Sequence, residues 1–108
     1  RKRDAVIALP IAFETKKTNL TLKQKKYLLP LLNTISKHKT NVFNIEVVVS
    51  KEFDSINKNL QLAFQRAKNT IIFLNKTAKI PFNKMRPIAR AIHKGKQSSY
   101  LTISFEPF

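Results

Sequence analysis

The chemistry of this sequence begins with Asn59-x-x-Leu62-x-x-x-Arg66-Ala67. Seven residues make nearly two turns of a helix, so Asn59 and Arg66 stack on one face with Leu62 between them. An amide and a guanidinium then project together, and a guanidinium suits a carboxylate because it offers two parallel hydrogen bonds. The same pattern also fits a solvent-exposed arginine on an ordinary helix with an asparagine near its start. Elsewhere the sequence supplies little reactive chemistry. Asp4, Glu14, Glu46, Glu52 and Asp54 are scattered, and residues 55–105 hold ten Lys or Arg and no carboxylate, which leaves no acid/base pair there. His38 and His93 fall in lysine-bearing loops and read as solvated. With no cysteine, thiolate metal sites, disulfides and Cys nucleophiles are excluded. The single glycine, Gly95, excludes glycine-rich phosphate loops and the nucleophile elbow. No serine has a credible base partner. The expectation is a non-enzyme with no cofactor and no metal.

The elements that must position Asn59 and Arg66 follow from periodicity. Ala5 to Phe13 is apolar and β-rich, with Pro10 arguing against a central strand. Leu20-Thr21 opens a helical pattern through Leu22, Leu28, Leu29, Leu31, Leu32 and Ile35, which Pro30 is expected to kink or break near Leu29. Val42 to Val49 is the clearest strand, alternating at first and then continuously apolar. The next helix has the best-defined stripe, Ile56, Leu60, Ala63, Ala67, Ile71 and Leu74, with Ser55 or Asp54 as its cap. Met85 to Ile92 is open between a strand, which Pro87 discourages, and a short helical turn. A polar turn around Gly95 leads to a closing strand, Ser99 to Phe105, with Tyr100, Thr102 and Ser104 alternating against Leu101, Ile103 and Phe105. The order β-α-β-α-(β or turn)-β points to an α+β or α/β sandwich with helices on one sheet.

The chain has 108 residues, and 21 basic against 6 acidic residues give a formal charge of +15. Its 43% hydrophobic residues, eight Phe among them, argue for one folded domain in spite of that charge. A basic excess of this size suggests a polyanionic partner, which makes a basic nucleic-acid-binding domain the alternative reading. Tyr100 and Phe105, following Lys94-Gly95-Lys96, are only faintly similar to an RNA-recognition sheet, and both aromatic spacing and element order differ from it. No apolar run approaches the roughly 18 residues of a spanning helix. The opening Arg1-Lys2-Arg3-Asp4 is unlike a signal peptide, so the chain is expected to be excised or truncated from a longer protein. Any targeting segment or membrane anchor would lie outside it.

Taken in order, these segments resemble the OmpA-like domain, the peptidoglycan-binding module of OmpA, the lipoprotein Pal and the C-terminal part of MotB. Ile11-Ala12-Phe13 is similar to the end of the family's first strand, Leu20-Thr21 to its helix start and Ile45–Val49 to its second strand. Asn59, Leu62, Arg66 and Ala67 fall at the spacing of its Asn-x-x-Leu-Ser-x-x-Arg-Ala helix, the specific part of the match. Phe73-Leu74 and Ile80-Pro81 are similar to the helix end and following turn, and Tyr100–Phe105 to the last strand. The resemblance covers nearly the whole chain. It implies an α+β fold, a β-α-β-α-β(-β) two-layer sandwich with helices packed on one mixed sheet, as a single domain over residues 1–108.

The resemblance also implies a site. The family's helix arginine binds the carboxylate of a peptide-stem diaminopimelate, a role that carries over to Arg66, with Asn59 as its support. The family's acid at the end of the second strand, which binds the diaminopimelate ammonium, does not carry over: Lys51 stands there and would repel an ammonium. Ser50 precedes it where the family prefers Thr. Glu52 and Asp54 are the candidate acidic substitutes. The function implied is a non-catalytic periplasmic domain, associated with the outer membrane, that anchors or positions an envelope complex such as a secretion machine at the cell wall. Its diaminopimelate clamp would be weakened or lost, and its partners would be peptidoglycan, held weakly or not at all, and other envelope proteins.

Overall fold

The computed structural model describes residues 5–38 and 41–105. Residues 1–4, 39–40 and 106–108 lie outside the described residues. Strand β1 (Ala5–Ala8) pairs antiparallel with the last strand, and Leu9 adds one more backbone bond, its N–H donating to the Leu101 carbonyl at 3.0 Å. The strand expected over Ala5 to Phe13 stops short at Pro10, which has no N–H to continue the ladder. Ile11 to Phe13 belong to a loop, in which Phe13 is buried.

Helix α1 (Leu22–Leu28) starts at a capping box: Thr21 accepts from the Gln24 N–H at 3.1 Å, and the Gln24 side chain accepts from the Thr21 N–H at 2.8 Å. Gln24 Nε2 also donates to the Ile11 carbonyl at 2.9 Å, which ties the loop after β1 to the helix. Pro30 breaks the expected helix. Its missing N–H cannot close an α turn, so Leu29–Leu31 form a 3-10 turn and the chain resumes as α2 (Leu32–Ser36).

Strand β2 (Phe43–Ser50) leads to α3 (Ile56–Ala78), a helix of 23 residues capped by Ser55, whose Oγ accepts from the Lys58 N–H. A left-handed Lys79 ends that helix. Residues Met85–Ile92 form β3, a strand and not a helical turn. It lies at an edge of the sheet, where proline is tolerated. Strand β4 (Tyr100–Phe105) closes the chain with the expected alternation.

The sheet order is β1-β4-β2-β3, with β2 and β3 parallel and β4 antiparallel to both its neighbours. The protein is therefore α+β, one open mixed sheet with helices packed on it. Phe43, Ile45, Val47 and Val49 of β2 meet Leu101, Ile103 and Phe105 of β4 on the covered face, under Leu28, Ile35, Ala63, Ala67 and Leu74. Ile56, assigned to the stripe of α3 from spacing, is instead 58% exposed. It opens the helix one turn before the core contacts begin. The buried arc turns the other way and takes in Asn59, Leu62, Arg66 and Thr70. Among the described residues, no helix is long and apolar enough to cross a membrane.

Candidate functional site

Arg66 lies at the middle of α3, and the burial that removes it from solvent is complete, at 0% exposure. An unpaired charge there would be prohibitive, so its hydrogen bonds must account for it. Nε donates to the Lys17 carbonyl at 2.7 Å. Nη1 donates to Glu52 Oε2 at 2.5 Å, and Nη2 donates to Glu52 Oε1 at 2.7 Å and to the Glu14 carbonyl at 3.1 Å. The pair is the two-pronged arginine–carboxylate geometry, made inside the chain. The Phe13 ring closes one side of the guanidinium, 4.6 Å from Cζ to the ring centroid.

Glu52 is equally committed. Besides Arg66, its Oε1 accepts from the Lys16 N–H at 2.7 Å and its Oε2 from the Ser99 hydroxyl at 2.6 Å. Burial pushes its carboxyl pKa up. The bonds from Arg66, Ser99 and the Lys16 N–H, with the charge of Arg66, outweigh that and hold it below the ordinary carboxylate value. Lys16 itself is left-handed, at φ 62°, which turns its N–H toward the carboxylate.

Asn59 is buried and serves the loop between β2 and α3. Its Oδ1 accepts from the Phe53 N–H at 2.8 Å, and its Nδ2 donates to the Phe53 carbonyl at 3.0 Å. Nδ2 also lies 3.1 Å from His93 Nε2, which places this expected solvated histidine against the site. Ser50, at the end of β2, is half-buried and donates its backbone N–H to Ser99 Oγ at 2.8 Å. Lys51 follows in the left-handed region at φ 56°, and its Nζ donates to the Gly95 carbonyl at 2.9 Å. Asp54 is exposed.

The structure thus brings Arg66, Asn59, Glu52 and Ser50 into one cluster at the end of β2 and leaves Asp54 at its edge. Spacing put Arg66 and Asn59 on one helix face, but it did not reveal that both are buried beneath loops. It also missed Ser99, Phe13 and the carbonyls of Glu14 and Lys17. Backbone carbonyls carry no signal in residue type, and Ser99 is one unmarked serine at the mouth of β4. Beside the cluster opens a groove of about 460 Å³ whose lining includes Lys16, Phe53, Lys58 and Leu62. Both lysines sit over Phe53, at 5.2 and 5.9 Å from the ring centroid.

No family profile and no curated protein sequence matches the chain. Solved structures do. An outer membrane protein from Borrelia burgdorferi B31 is similar over 94% of this chain and 86% of its own, with TM-score 0.70 and 15% identity. The OmpA-like domain of FopA1 from Francisella tularensis subsp. tularensis SCHU S4 is similar over 97% and 78%, with TM-score 0.70 and 17% identity. The peptidoglycan-associated lipoprotein from Burkholderia pseudomallei is similar over 88% and 86%, with TM-score 0.66 and 13% identity. The fold of this chain is that of the OmpA-like domain.

Proposed function

We propose that the chain is a non-catalytic domain of the bacterial envelope, periplasmic and associated with the outer membrane, that positions a larger envelope complex near the cell wall. The OmpA-like fold supports this reading, since one similar structure is described as a peptidoglycan-associated lipoprotein. The single observation that carries the finer reading is the Arg66–Glu52 pair. With its guanidinium already bonded to Glu52, Lys17 and Glu14, Arg66 offers no open fork to a diaminopimelate carboxylate. The cluster therefore holds the diaminopimelate clamp in a weakened form, and attraction to the wall falls to the general positive charge. Protein partners, such as the components of a secretion machine, supply the remaining affinity.

Co-sedimentation with purified sacculi tests this. The protein is expected to sediment weakly at low salt and to be released by about 0.3 M NaCl, where exposed charges are screened within a few ångströms. Free diaminopimelate is expected to leave sedimentation unchanged. Competition by diaminopimelate would mean that the clamp works, and failure to sediment even at low salt would remove wall contact from the function.

A further inference from the structure

We propose that Glu52 is a built-in occupant of a carboxylate socket around Arg66, and that an outside ligand enters only by putting its own carboxylate in the place of Glu52. This rests on reading the Arg66 cluster as the ligand face of the domain, although its chemistry is local. The socket is complete in four directions. Arg66 supplies two parallel donors, the Lys16 N–H and the Ser99 hydroxyl supply two more, and Phe13 closes one side of the guanidinium. Arg66 is fully buried, whereas the Glu52 side chain keeps 11% exposure, so the route from solvent to the guanidinium runs through Glu52.

The loop that carries Glu52 does not depend on Glu52 for its anchorage. Asn59 holds Phe53 by its N–H and carbonyl, and Lys51 is tied to Gly95. The glutamate side chain can therefore turn out of the socket without releasing the backbone. The adjoining groove then defines the rest of the ligand. Lys16 and Lys58 both lie near the Phe53 ring in a groove also lined by Leu62, so a second anionic group on a short apolar spacer is favoured. An ammonium there would meet two lysines. The ligand class is a dicarboxylate or an acidic peptide side chain, not a zwitterion.

Thermal unfolding of Glu52→Ala, Glu52→Gln and the wild type tests this at constant ionic strength in chloride, acetate, glutarate or lysine. Glu52→Ala opens the socket, and saturating glutarate is expected to raise its Tm by about 5 °C or more over chloride. Acetate is expected to give a smaller rise and lysine none. The wild type and Glu52→Gln, whose sockets are filled, are expected to respond only at much higher glutarate, because the ligand must first displace the side chain at position 52. Adding Arg66→Met to Glu52→Ala replaces the buried charge by an apolar chain and is expected to abolish the glutarate effect. Should Glu52→Ala be unfolded in chloride, the same titration reads refolding by circular dichroism. No glutarate-specific rise or refolding in Glu52→Ala, or an equal rise in the wild type at the same concentration, would overturn the socket, and no rise in the wild type at any glutarate concentration would overturn entry by displacement. A lysine effect equal to that of glutarate would overturn the ligand class. These results need no cell wall, so failure of sacculus binding and failure of the socket are separate outcomes.

Discussion

At the scale of single residues, the pair Arg66–Glu52 concentrates more hydrogen bonding than any exposed ion pair can use. Glu46 and Arg90 make the contrast: at 3.6 Å with 28% and 58% of the side chains exposed, that pair contributes about 0–1 kcal/mol. Removing one partner of the buried pair leaves an uncompensated charge, which costs about 3–5 kcal/mol. The pair also sets the acid response. Because the folded Glu52 carboxyl has its pKa held below the unfolded value, its stabilisation is complete above about pH 5 and is lost as pH falls through the folded value. Denaturant unfolding from pH 7 to pH 3 is expected to show a steep acid limb in the wild type and a shallower one in Glu52→Gln, which has no carboxyl to protonate. Parallel acid limbs would show that Glu52 is not the group responsible.

At the scale of elements, α3 is the post to which the loops are tied. Arg66 holds the loop after β1 through Lys17 and Glu14, Asn69 adds a bond to the Thr18 carbonyl, and Asn59 holds the loop after β2 through Phe53. Asn59→Ala is expected to lose about 1–3 kcal/mol of stability, since both polar groups of Phe53 lose their partner. It is also expected to raise amide hydrogen exchange across residues 51–55 while leaving β2 protected. Uniform loss of protection across the sheet would show that Asn59 acts on the whole core instead. Much of this element plan was legible in the sequence. Ser55 and Thr21 sit at helix starts as their side-chain chemistry dictates, and Pro30 breaks a helix where a missing N–H must. Met85–Ile92 was ambiguous because its apolar residues fit either period. The parallel ladder to β2, made by residues some forty positions earlier, decided it.

At the scale of the molecule, the charge of +15 surrounds a small sheet with helices on one face. Like charges at that density repel one another in the compact state, and added salt screens them. The Tm is expected to rise by several degrees between about 10 mM and 0.3 M NaCl. A Tm that falls with salt would mean that attractive surface pairs outweigh the repulsion. Such a rise concerns stability, whereas salt is expected to weaken attachment to sacculi. The same ions would thus stabilise the domain and detach it from the wall.

The sequence by itself determined the element order outside Met85–Ile92 and most of the core, because helix and strand periods are local properties of residue spacing. It also determined that Arg66 and Asn59 share one face of one helix. Only the tertiary structure decided what that face meets. Glu52 follows Lys51, and nothing in its neighbourhood distinguishes a carboxylate reaching for an outside ammonium from one turned inward. The turn at Lys51, the Lys16 N–H and the Ser99 hydroxyl bring it onto Arg66 from three separate parts of the chain. A buried guanidinium requires a buried anion beside it, and long-range folding supplied that anion from within.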